Sequence, residues 1–178
     1  MEKITHENFN PAIPENVHCL LGRLAIAYGR LDSTLTNWIA NETKGDLAST
    51  FILVGRMEIT NKLRRLISLF ELTGDSSKRA AIKKLQRDFK PHQNRRNVIA
   101  HQFCLGMAKD NPRQLGFLGL HTAKRGSKGD YLAPITRISV DDIRQSEKAV
   151  TKMTQEIAAK YIPLGDDLPP SPLSGLPQ

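Results

Sequence analysis

The chain has 178 residues, 39% hydrophobic and 25% charged, the balance of one globular domain rather than of a fibrous or wholly unfolded polypeptide. Its 26 Lys and Arg against 18 Asp and Glu leave a net charge of +8, which favours nucleic acid, an acidic protein or an anionic surface as partner. The longest apolar-leaning run, Leu20 to Tyr28, is broken by Gly22 and Arg23 and falls well short of the roughly 18 to 20 residues of a membrane helix.

In chain order, residues 1–15 carry Pro11 and Pro14 without a periodic pattern and are expected to be an arm leading into the first helix. From Val17 to Trp38 apolar residues recur at three- and four-residue steps, which predicts one long amphipathic helix. Cys19 falls in this helix and Cys104 lies far from it. Without a pairing pattern or signal peptide both read as buried thiols of a reducing cytosol, so no disulfide and a soluble cytoplasmic protein are expected. After a turn at Thr43–Asp46 the pattern restarts at Leu47 and runs through Phe51, Ile59, Leu63 and Phe70 to a stop at Thr73–Gly74, a second helix. A third is capped by Asp75–Ser77 and continues through Ile82, Leu85 and Phe89 to Pro91, where the missing N–H predicts a break or kink before a short helix restarts.

From Leu105 to Val140 the helical period disappears and glycines punctuate short apolar runs, so two or three strands joined by a turn at Lys124–Gly129 are predicted. Ser139, with Asp141 and Asp142, then opens a last helix that ends near Ile162. The proline-rich tail 163–178 holds too little apolar surface to fold alone. The expected fold class is all-α, an antiparallel bundle of four or five helices over residues 16–162 with a small β-hairpin inserted at about 105–139.

Charge is not spread evenly. Twelve basic and four acidic residues fall between Arg56 and Arg96, so this segment alone matches the excess of the whole chain. Such a stripe tracks a phosphate backbone, and Lys83, Lys84, Arg87, Lys90 and Arg95 are its candidate RNA contacts. The alternative is a solvated helix face that serves solubility. The same alternative suits Lys124, Arg125 and Lys128 in the hairpin turn.

The segment richest in chemistry is Arg96-Asn97-Val98-Ile99-Ala100-His101. Glycine-rich phosphate loops, Cys-x-x-Cys, His-Glu-x-x-His and Gly-x-Ser-x-Gly are missing from the sequence, which removes the common nucleoside-triphosphatase, zinc-protease and esterase readings. His6, His18, His92 and His121 have no metal-ligand spacing, so neither metal nor cofactor is expected. On a helix Asn97 and His101 share a face, whereas Arg96 lies about 140° from His101. Arg96 is expected to converge by lying in the first turn after Pro91 and reaching over a helix N-terminus that attracts anions. Such a set suits metal-independent RNA cleavage: the imidazole takes the 2′-hydroxyl proton, Arg96 holds the phosphate, and Asn97 donates or orients. A second acid is needed for the leaving oxygen, and a symmetric dimer would bring one. Arg87 and His92 repeat the spacing, but Pro91 lies between them and Asp88 follows the Arg.

The Arg-Asn-x-x-x-His motif resembles that of the HEPN superfamily, helical domains that include metal-independent ribonucleases of toxin–antitoxin, phage-defence and RNA-processing systems. The resemblance lies in these six residues, with which a helical stretch over about 15–162 is compatible. It implies a composite cleft across a homodimer, with Arg96, Asn97 and His101 as catalytic residues and a cognate antitoxin or defence partner in some settings. One toxin branch carries a Tyr two residues after the His, where it is nucleotidylated; Phe103 stands here, which argues against that regulation. The competing reading is a non-catalytic dimer that binds RNA, nucleotide or protein, with His101 structural and Arg96 paired to an acid such as Asp32. A DNA-binding role is a third, though no helix-turn-helix pair is evident.

Overall fold

The structure, a computed structural model, describes residues 6–119, 124–125 and 131–162. Five helices, α1 (Glu15–Thr43), α2 (Leu47–Val54), α3 (Ile59–Leu72), α4 (Ser76–His101) and α5 (Val140–Tyr161), pack with an antiparallel sheet that stands between α4 and α5 in sequence. The strands are β1 (Phe9–Asn10), β2 (Phe103–Ala108), β3 (Gln114–Leu118) and β6 (Ile135–Ser139), in the order β1-β2-β3-β6, with a separate two-residue pair β4 (Lys124–Arg125) and β5 (Tyr131–Leu132). The fold is therefore mostly helical but not all-α. The expected hairpin is the centre of a four-stranded sheet, because Phe9 and Asn10 of the supposed arm pair with Ala108 and Met107. That pairing spans about a hundred residues, and no local pattern announces it. The predicted turn at Lys124–Gly129 lies outside the described residues beyond Arg125, as do His121, Lys128 and the tail.

Residue contacts fix the helix directions. Trp38 stacks on Tyr161 at 4.2 Å, while Leu20 and Val17 meet Val140 and Arg144 around one cavity, so α1 and α5 run parallel. Lys62 meets Asp32 and Phe70 meets Trp38, so α3 is parallel to α1 as well. Only α4 runs against all three, pairing Lys78 with Glu42, Arg79 with Glu71, and Arg95 with Asp142. Successive helices therefore alternate in direction, with α2 as the return segment between α1 and α3 and α4 ending beside the start of α5, as the short connections predict; the departure from a plain bundle is the sheet inserted between α4 and α5.

Two helix boundaries also differ from the sequence reading. The second helix is two, because Glu58 takes an extended backbone (ψ 149°) and starts α3 afresh. The apolar phase continues across this step, so periodicity gives no sign of it. Conversely α4 runs through Pro91 without a break. The proline forfeits the bond to the Arg87 carbonyl, on a face of α4 where Arg87 and Pro91 are both exposed. Ile82 and Phe89 are buried before Pro91, and Val98 and Ile99 pack on the core after it. Tertiary packing on both sides outweighs the local penalty of about 3 kcal/mol.

The core is drawn from α1 (Leu20, Leu24, Leu31, Leu35, Trp38), α3 (Leu63, Leu66, Phe70), α4 and α5, with Leu115 and Phe117 of the sheet joining it. Cys19 is exposed and Cys104 half-buried, both free thiols, which corrects the expectation of buried ones. Of the large apolar residues of α2 Val54 packs against the core, whereas Ile52 is 80% and Leu53 74% exposed, and Phe51 is also uncovered. No helix among the described residues is long and apolar enough to cross a membrane.

Gly106 locks the arm to the sheet. Its φ is +102°, and a Cβ there would run into the Asn10 carbonyl oxygen. Gly106→Ala is expected to destabilise the protein by about 2 kcal/mol or more, read as a lower urea midpoint, with β1 amides losing hydrogen-exchange protection first.

Candidate active site

The motif sits in the last two turns of α4, at the end of a 26-residue helix. Arg96 therefore does not open a restarted helix, and the anion site expected at a helix N-terminus is not there. The predicted convergence nevertheless occurs by side-chain reach. Arg96 Nη1 lies 2.9 Å from His101 Nε2 and 3.3 Å from Asn97 Oδ1. A guanidinium is always a donor, so Nε2 accepts and the proton of the neutral imidazole rests on Nδ1. His101 and Asn97 are exposed, while Arg96 is half-buried.

Continuity of α4 reveals a stripe that a break at Pro91 would have hidden. Lys83, Arg87, Lys90, Asn94, Asn97 and His101 follow at steps of three and four, and all are exposed. They run for about 27 Å along one helix face. Arg87, Lys90, Asn94 and Asn97 also line a polar cavity of about 640 Å³ against α3, where Asn61 and Arg64 face them. Asn94 and Asn61 were missed because uncharged amides do not register in a search for basic residues. Their three- and four-residue spacing from Lys90 and Arg64 was the available signal.

Other expected contacts point elsewhere. Lys84 is off the stripe and pairs with Asp88 at 2.7 Å. Arg95 turns to α5, bonded to Asp142 Oδ1 at 2.6 Å and to Ser146 Oγ at 3.3 Å, and so is held in the fold rather than offered to RNA. Lys62, counted in the basic stripe, is wholly buried and ion-paired to Asp32 at 2.7 Å. Asp32 is thus the partner of Lys62, not of Arg96, which removes the packing role suggested for Arg96. Arg87 and His92 do not combine: Arg87 faces the polar cavity, whereas His92 Nδ1 meets Ser146 Oγ at 3.0 Å.

Beside the polar cavity, and sharing Asn97, Gln93 and Glu58 with it, lies a second cavity of about 500 Å³ between α1, α3 and α4. Its walls are mostly apolar, and Arg96 and Asp32 both line it. Tyr28 lines it too. Burial pushes its pKa far up despite Arg95 and Arg96 nearby, so the hydroxyl stays protonated at neutral pH, and its proton is committed to the His92 carbonyl at 2.5 Å.

Burial, then the charge of Arg95, hold the His92 pKa below the ordinary value of 6.5, with Asp88 opposing weakly. The folded state therefore keeps His92 neutral where the unfolded chain would take up a proton. Its contribution to stability is complete above pH 6.5 and is lost as pH falls through the lower folded value. The urea midpoint should drop between pH 7.5 and 5.5, and His92→Gln should flatten that slope.

Comparison with known protein families, with curated protein sequences and with solved structures finds no match. What the site does must be argued from its own geometry.

Proposed function

We propose that this protein is a metal-independent endoribonuclease of the HEPN type, acting as a homodimer through Arg96, Asn97 and His101. The observation that carries the reading is the convergence of Arg96 and His101 within 2.9 Å at the exposed end of a cationic, amide-rich groove.

The steps follow from the donors and acceptors. An RNA strand lies along Lys83, Arg87 and Lys90, drawn by counterion release. The scissile phosphate takes the guanidinium of Arg96, a bidentate match stronger than its bond to a neutral imidazole. Nε2 of His101 is thereby freed to accept the 2′-hydroxyl proton while that oxygen attacks phosphorus. Asn97 holds a phosphate oxygen or the freed imidazole, and Arg96 carries the charge of the five-coordinate transition state. The P–O5′ bond breaks as His101 of the partner subunit, which must enter the step as the imidazolium, donates a proton to the leaving oxygen, giving a 2′,3′-cyclic phosphate and a 5′-hydroxyl; the two imidazoles thereby exchange protonation states, and solvent resets them. The uncovered Phe51, Ile52 and Leu53 of α2 support self-association, since exposed apolar patches mark interaction sites. A toxin or phage-defence setting, with an antitoxin or defence partner, belongs to the same proposal.

The test is incubation of the purified protein with a mixed RNA pool in excess chelator, scoring new ends. Cleavage with cyclic 3′ ends supports the reading. Intact RNA after incubation with folded, dimeric protein overturns it in favour of a non-catalytic dimer that binds RNA, nucleotide or a protein partner.

A further inference from the structure

We infer that the cavity between α1, α3 and α4 is a base pocket selective for guanine, and that it seats the nucleotide on the 5′ side of the cut. This rests on the ribonuclease reading for the position of the phosphate, but not for the base chemistry.

The cavity has the size and character of a small-ligand site. Its volume of about 500 Å³ lies in the range of about 300–1,000 Å³ usual for such sites. Leu24, Tyr28, Ile59 and Phe89 supply apolar and aromatic walls, against which a flat base is held by stacking and exclusion of water. Tyr28 contributes ring surface only, its hydroxyl being engaged by the His92 carbonyl.

The polar groups in this apolar setting are few and specific. Asp32 Oδ1 is fixed at 2.7 Å by the buried ammonium of Lys62, which also approaches the Asp32 and Gly55 carbonyls at 3.4 Å. Among the described residues Oδ2 has no hydrogen-bond partner, and the carboxylate side chain is 32% exposed while it lines the cavity. A charged, pre-oriented acceptor in an apolar cleft selects a ligand with hydrogen-bond donors. Arg56, exposed and without an ion-pair partner among the described residues, lines the same cavity and offers donors.

Among the four bases only guanine matches both groups. Its N1–H and N2–H present two adjacent donors to one carboxylate, and its O6 and N7 accept from an arginine. Adenine and cytosine set a ring-nitrogen lone pair beside their single amino group, which the carboxylate repels. Uracil flanks one N–H with two carbonyl oxygens.

The register of the helices places the phosphate correctly. Tyr28 lies level with Phe89 and His92, and the helices are antiparallel, so Arg96 lies level with the Leu21–Leu24 turn, which lines the same cavity. Asp32 is eight to eleven residues from that turn, about 12 to 16 Å along α1. One nucleotide, with a hydrogen bond at each end, reaches across the near part of that interval with its base edge at Asp32 and its 3′-phosphate at the Arg96 guanidinium.

The test measures binding of 3′-GMP, 3′-AMP, 3′-CMP, 3′-UMP and 3′-IMP to the full chain by calorimetry, and sequences the 3′ ends left by cleavage. The expected result is 3′-GMP binding at least about tenfold tighter than 3′-AMP, 3′-CMP and 3′-UMP, with 3′-IMP, which lacks the N2 amino group, between them, and with cleavage 3′ of G. Arg56→Ala should reduce this preference with the core pair intact. Asp32→Asn should abolish it; because that change also touches Lys62, the double variant Asp32→Asn with Lys62→Met repeats the measurement without a buried charge. Glu71→Gln, an exposed carboxylate of α3 that lines neither cavity, should leave the preference unchanged. Equal binding of all five, binding of none, a preference that survives both Asp32 variants, or one that vanishes with Glu71→Gln would each overturn the pocket. Cleavage without base preference sinks the pocket alone, whereas guanine binding without cleavage sinks the ribonuclease alone.

Discussion

His101→Ala should lower RNA cleavage by a factor of about 10² to 10⁴, the usual contribution of one positioned proton-transfer group, while its unfolding free energy stays within about 0.5 kcal/mol of wild type. The second half of this expectation separates catalysis from packing. His101 is the last residue of α4, exposed, with Arg96 as its hydrogen-bond partner, so its removal opens no cavity. A structural histidine would give the opposite pattern, lost stability with activity falling only as the folded fraction falls. Arg96→Ala should cost about 10² to 10³, and Arg96→Lys should recover little, because an ammonium keeps the charge but not the planar fork. In a composite site with two copies of the motif, mixing His101→Ala with Arg96→Ala subunits should not restore wild-type rates, because no cleft of the mixed dimer holds Arg96, the base His101 and the acid His101 together. Single-turnover cleavage beside urea unfolding for each variant decides the matter.

The parts of this molecule that were legible from sequence are those governed by neighbours in the chain. Helix α1 and the Ser139 cap of α5, whose hydroxyl accepts from the Asp142 N–H at 3.0 Å, follow from local period and capping chemistry. So does the Arg96–Asn97–His101 cluster, although Arg96 converges by side-chain reach rather than from a helix N-terminus. The local cost of Pro91 predicts a break, and the packing of Phe89 and Ile99 on either side outweighs it. The β1 pairing and the burial of Lys62 are contacts between distant segments, and hydrophobic patterning does not encode them. A lysine in a basic stretch reads as surface until the fold supplies an aspartate 30 residues upstream. For the same reason the sequence offers Asp32 as a brace for Arg96, and only the fold makes it the partner of Lys62 and a wall of the cavity.

That lysine also governs a large and asymmetric effect on stability. Asp32→Ala should destabilise the protein by about 3 kcal/mol or more, because it strands the ammonium of Lys62 in a site with no exposure to solvent. The two carbonyls 3.4 Å away, of Asp32 and Gly55, are too long and too weak to replace a carboxylate at 2.7 Å. Lys62→Met should cost far less, about 1 kcal/mol, since it removes the buried charge and keeps a similar volume among apolar neighbours, while Asp32, open to the cavity, finds water. Truncating both residues together should therefore be milder than Asp32→Ala alone. A double-mutant cycle by urea unfolding reads this directly. Equal effects of Asp32→Ala and Lys62→Met would mean that the ammonium reaches water by another path and that the pair holds Asp32 less firmly than its geometry implies.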